Sequence, residues 1–152
     1  MNTELKQLLQ EIEIFTISGF TRNEILTNIC KLLKEKVYHY DWVGFYLLDE
    51  QHSTLILDTY FGKPTEHTTI PVGKGVCGQV AESKRLKIVQ DVNKEGNYIA
   101  CSIDVQSEIV VPILKGDKFV AEIDIDSHSP SPFTADDENF LSAVCQKVSV
   151  LF

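Results

Sequence analysis

The sequence predicts an α+β domain with a mainly antiparallel sheet and N- and C-terminal helices packed on it. Three observations predict it. Apolar residues recur at helical spacing at both ends of the chain. The middle carries short β-rich runs separated by turn residues. No linker, repeat or low-complexity segment divides the 152 residues, so residues 1–152 read as one domain.

Asn2 or Thr3 can cap a first helix, whose Leu5, Leu8, Leu9, Ile12 and Phe15 form one stripe. Ser18-Gly19 ends it, and Thr21 with Glu24 matches a capping box. The second helix carries Ile25, Ile29, Leu32, Leu33 and Val37, with Cys30 beside them as a packing residue. Trp42 to Leu48 reads as a strand, with Thr54 to Tyr60 as its hairpin partner. Trp42, Gly44 and Tyr46 share a face, and Gly44 leaves a gap between the two aromatics. From spacing alone they are core residues or a pocket wall.

Residues 61 to 72 read as a loop containing His67. The glycine-rich turn at Gly73, Gly75 and Gly78 lacks the P-loop ending and leads into a short helix over Val76 to Ser83. Cys77 then lies near a helix N-terminus, where the dipole favours a thiolate. Leu86 to Gln90 suggests a short strand, and residues 91–106 a loop containing Cys101. Ser107–Leu114 and Phe119–Asp126 pair across the Lys115-Gly116-Asp117 turn. Strict alternation puts Phe119, Ala121, Ile123 and Ile125 on one face and Val120, Glu122, Asp124 and Asp126 on the other. The three acids are either a solvated face or a cluster that binds a cation or holds a proton. Thr134 caps a final helix with Phe140, Leu141, Val144, Val148 and Leu151 along one stripe and Cys145 beside it.

A net charge of −8 disfavours nucleic acid and anionic membrane surfaces as partners. No apolar run reaches membrane-span length, and the polar N-terminus is unlike a signal peptide. Four cysteines without such a signal suggest a cytoplasmic protein whose thiols serve packing, redox chemistry or metal binding.

The ordered pieces Trp42-Val43-Gly44-Phe45-Tyr46, Gly62-Lys63-Pro64, Gly73 to Gly78, Asp91-Val92, Ile99-Ala100-Cys101, Ser107 to Pro112 and Asp124 to Ser127 together resemble the free methionine-(R)-sulfoxide reductases, which are stand-alone GAF-domain enzymes. The resemblance covers nearly the whole chain. It implies thiol-dependent reduction of free methionine sulfoxide through a sulfenic acid and a disulfide. It implies Cys101 as nucleophile and Cys77 as a second redox cysteine, with the two roles open to exchange. It further implies Trp42 and Tyr46 as an aromatic wall around the methyl-sulfur end. Glu108, Asp124 and Asp126 become the acids that bind the amino group and assist the chemistry. Glu122 lies outside that motif. The implied partners are a thioredoxin-type reductant and a second copy in a homodimer, with no metal or organic cofactor. Two departures stand out: the family commonly has a third cysteine near the position of His67, and Asn97-Tyr98 stand where Gly-His normally precede Ile-Ala-Cys.

Three other readings exist. A non-catalytic GAF sensor would bind a small ligand in the same pocket. A zinc site could use Cys77, Cys101, His67 and an acid, but close CxxC or HxxxH spacing is absent. A purely structural or interaction module would leave the thiol and acid pattern without a role.

Overall fold

The structure is a computed structural model that describes residues 1–99 and 103–152. Four α-helices, two single-turn 3₁₀ helices (Val92–Lys94 and Ser149–Leu151) and six strands appear among the described residues. The α-helices are α1 (Thr3–Thr16), α2 (Arg22–Lys36), α3 (Gly75–Ser83) and α4 (Ala135–Val148). The strands are β1 (Trp42–Asp49), β2 (Thr54–Phe61), β3 (Thr69–Pro71), β4 (Lys87–Val89), β5 (Ser107–Lys115) and β6 (Lys118–Ser127). They form one sheet in the order β3-β2-β1-β6-β5-β4, every neighbouring pair antiparallel.

Local chemistry fixes the helix starts. Asn2 Oδ1 accepts from the Leu5 amide at 2.9 Å. Thr21 and Glu24 form the expected reciprocal box, each satisfying a backbone N–H that the helix leaves unpaired. Thr134 and Asp137 form a second box at the start of α4.

The sheet separates two apolar layers. On one face, α2 and α4 pack over a layer that includes Val43, Phe45, Ile109, Val111, Ile113, Ala121, Ile123 and Ile125, and α1 packs against α2 and α4. Cys30 and Cys145 lie in this layer as buried packing residues, and burial raises both thiol pKa values. The other face is covered by α3 and by the connections around it.

Two expectations are corrected here. Residues 69–71 are a strand rather than loop: they pair with Thr54–Ile56 and form the sheet edge. A three-residue strand ending in proline has no periodic signal of its own. The strict alternation of β6 also fails at one point. Ile113 pairs with Ala121 but Leu114 pairs with Phe119, so Val120 is an extra residue in the strand. This bulge turns Phe119 onto the α3 face, away from Ala121, Ile123 and Ile125.

Candidate active site

The site grows from the register of three strands. On β6, Glu122, Asp124 and Asp126 share one face. Across β1 they oppose Tyr46, Gly44 and Trp42 respectively. Across β5 they oppose Pro112, Val110 and Glu108. A central β hairpin therefore puts four carboxylates side by side, and all four are buried. The solvated-face alternative is thereby excluded.

Helix α3 lays Cys77 over this acidic row. Its Sγ is 3.9 Å from Glu108 Oε1. Sγ and one oxygen each of Glu108 and Asp124 all lie within 4.8 Å of one another. These three residues line a cavity of about 10 Å³ with His67, Gly75 and Ile99, roughly the space of one water. Gly75 has φ +62°, and a Cβ there would lie 2.9 Å from Ile99 Cδ1, so its lack of a side chain lets Ile99 close over the helix start. Larger hollows exist elsewhere, about 410 Å³ between β5 and α4 and about 350 Å³ beside His39. Neither joins a thiol to a carboxylate.

Burial raises the Cys77 thiol well above its ordinary pKa, and Asp124, Glu122 and Glu108 add to the effect in that order. Cys77 is the third residue of α3, at the helix start the sequence predicts, but the charge balance there opposes a thiolate. Desolvation and three carboxylates outweigh a half charge at the helix end. Glu108 is also held well above the carboxylate range, by burial first and then by Asp124 and Asp126. Burial pushes Asp124 up to about 6 against hydrogen bonds from Glu108 and Cys77 that favour its charge. Glu122 is raised by burial, with Cys77 opposing and Asp124 reinforcing the shift. Asp126 is buried opposite Glu108 in the β5–β6 register.

The two aromatics are core residues that also hold the cover of the site. Trp42 stacks on Tyr60, with ring centres 5.5 Å apart, and donates Nε1–H to the Lys63 carbonyl. Tyr46 donates its hydroxyl to the His67 carbonyl at 2.7 Å. The gap over Gly44 is filled by the indole of Trp42 itself. The two rings thus pin residues 63 and 67, and neither ring is itself part of the cavity lining. Cys101 lies outside the described residues. Glu122 joins the site although the motif reading set it aside, and the signal for it was its place on the acids' face of β6. His67 lines the cavity, and its carbonyl accepts the Tyr46 hydroxyl.

An antiparallel six-stranded sheet with terminal helices on one face and a helix-covered cavity on the other is the architecture of a GAF domain. The chain belongs to the GAF-domain family, whose profile matches residues 21–152. Among its relatives, the free methionine-R-sulfoxide reductase of Saccharomyces cerevisiae is 33% identical over 97% of this chain and 87% of its own length. The Escherichia coli protein of that name is 37% identical over 76% of this chain and 68% of its own. The structure of free methionine-R-sulfoxide reductase from Neisseria meningitidis in complex with its substrate superposes with a TM-score of 0.93. That protein is 30% identical, with 100% of this chain and 91% of the other covered.

Proposed function

We propose that this chain reduces free methionine-(R)-sulfoxide to methionine, with Cys101 as nucleophile and Cys77 as the resolving thiol. The observation that carries the proposal is the burial of Cys77 with Glu108, Asp124 and Glu122 beneath α3 in a chain whose relatives bear that name. A buried row of carboxylates is complementary to the ammonium group of a free amino acid. A carboxyl group kept protonated by its surroundings can give a proton to the sulfoxide oxygen. Glu108 and Asp124, both raised in pKa, fit these needs, and Asp126 joins them as a buried neighbour of Glu108.

The chemistry balances with two thiols. The nucleophilic thiol takes the sulfoxide oxygen, releasing methionine and becoming a sulfenic acid. The second thiol condenses with it, forming the S–S bond and releasing water. An external dithiol, of the thioredoxin type, then restores both thiols by exchange. The raised pKa of Cys77 supports Cys101 as the attacking group. A cavity of about 10 Å³ is smaller than the substrate, so the cover over α3 must open to admit it. The active unit in this proposal is a homodimer, measurable by sedimentation.

The test is an assay of the resolved epimers with dithiothreitol and with thioredoxin. The R epimer of the free amino acid should be reduced, and the S epimer and peptide-bound sulfoxide should not. Equal rates for both epimers would overturn the assignment. Peptide mapping after one equivalent of substrate should find a Cys77–Cys101 disulfide. Two unmodified thiols would instead leave a ligand-binding domain without turnover.

A further inference from the structure

We infer that Cys77, Glu108 and Asp124 form a binding site for a thiophilic divalent cation of the zinc class, and that its occupation inhibits the protein. The inhibition rests on the function proposed above, whereas the binding stands on its own geometry.

The three donors converge from separate elements. Glu108 and Asp124 lie on the adjacent strands β5 and β6, and Cys77 lies in the first turn of α3. Their donor atoms are within 4.8 Å of one another, with Sγ to Oε1 at 3.9 Å. In a tetrahedral zinc site, with bonds of about 2.3 Å to sulfur and about 2.0 Å to oxygen, neighbouring donors stand roughly 3.5 Å apart. The Sγ–Oε1 pair needs to close by roughly 0.4 Å and no pair by more than about 1.3 Å, a shift that side-chain rotation supplies.

A second observation points the same way. Glu108 Oε2 and Asp124 Oδ1 are buried with no hydrogen-bond partner, and both residues line the cavity. Buried acceptors without donors are costly, so their cavity is complementary to a small cation. The ligand set selects which cation. Calcium takes six to eight oxygens, and magnesium demands near-octahedral oxygen geometry. A thiolate with two carboxylates suits a borderline-soft ion. The one-water cavity leaves a fourth position open, as three-ligand zinc sites do. Binding displaces the Cys77 thiol proton to solvent, so proton release accompanies it. The bound ion would occupy the place proposed for the substrate's ammonium and hold the thiol needed to resolve a sulfenic acid.

The test uses the full chain, reduced and then freed of thiol reagent. Titration with Co²⁺ should give one equivalent of binding, tetrahedral visible bands and a sulfur-to-cobalt charge-transfer band. Zn²⁺ should abolish these signals by displacement. Cys77→Ser should remove the charge-transfer band, Asp124→Asn should weaken binding at least tenfold, and Cys145→Ser should leave the band in place. Absence of the band in the natural chain, or its survival in Cys77→Ser, would overturn the site. If Cys77→Ser does not fold, alkylation mapping of the natural chain decides: Zn²⁺ must protect Cys77, and no protection refutes the site. With a reductant that does not chelate metal, Zn²⁺ should raise the apparent KM for the sulfoxide. Metal binding without any sulfoxide reduction would remove the proposed function and keep the site. Reduction without metal binding would do the reverse.

Discussion

The Cys77 thiol lies 3.9 Å from the Glu108 carboxyl, with Asp124 and Glu122 completing its electrostatic surroundings. This one relationship sets the resting state of the site. A buried thiol facing three carboxyl groups keeps its proton, because burial disfavours the thiolate first and any ionised neighbour adds repulsion that solvent cannot screen.

Cys77 should therefore react slowly with iodoacetamide near neutral pH, at least about tenfold slower than free cysteine. Burial alone also slows alkylation, so a charge variant is the sharper measurement. Asp124→Asn removes the largest charge contribution and should speed labelling of Cys77 with little change in the rest of the peptide map. An unchanged rate would mean that access, not ionisation, controls this thiol.

The parts of the fold that a sequence displays are those whose causes are local. The Thr21–Glu24 box and the stripes of α1, α2 and α4 repeat within a few residues, and the acids of β6 follow a period of two. The rest depends on pairing across long separations. The bulge at Val120 exists only because Ala121 and Phe119 pair with consecutive residues of β5. The burial of the acids needed α3 to cross them, which alternation alone does not specify. The effect of Glu122 on Cys77 likewise requires the tertiary contact. Cys77 was visible as a thiol at a helix start, but its ionisation is decided by residues 31 to 47 positions away in sequence.

The raised carboxylates make a prediction about stability. Asp124 titrates from 3.8 to about 6 on folding, so the folded state binds more protons between those values. Stability should therefore fall as pH rises from about 4 to about 6, by at most about 3 kcal/mol from this group. Glu108 and Glu122 act in the same direction. Urea unfolding across that range should show the decline, and Asp124→Asn should flatten it and raise Tm at about pH 8. A variant with the natural chain's slope would show that Asp124 is solvated in the folded protein.

Gly44 is predicted to be intolerant of even a methyl group. A Cβ there would lie 2.3 Å from Cη2 and 2.6 Å from Cζ3 of Trp42. The indole would have to leave its stack on Tyr60 and its hydrogen bond to Lys63. Gly44→Ala should lose about 1–3 kcal/mol, the usual range for overpacking. Trp42 is the chain's single tryptophan, so its fluorescence reports the displacement directly. If the spectrum and the unfolding midpoint both match those of the natural chain, the indole does not occupy this gap.

The final prediction concerns a hub far from the site. Asp137 begins α4 by accepting the Thr134 amide and hydroxyl on Oδ2, at 2.8 and 2.9 Å. Its Oδ1 accepts the Tyr40 hydroxyl and faces His39 Nε2, both at 2.8 Å. One buried carboxylate thus caps a helix and ties it to the segment that leads into β1, 97 and 98 residues earlier. Burial opposes its charge, but the bonds from His39, Thr134 and Tyr40 prevail and lower its pKa to about 2. With the unfolded value near 3.8, this depressed group contributes stability that is fully present above about pH 4. The contribution, about 2 kcal/mol, is lost as pH falls through about 2. Asp137→Asn keeps the shape but removes the charge and part of the accepting capacity. It should lower stability by about 2–4 kcal/mol at neutral pH and narrow the gap to the natural chain below pH ~3. Paired urea titrations at both pH values provide the measurement. A variant equally weakened at both would show that the carboxylate acts through its shape alone.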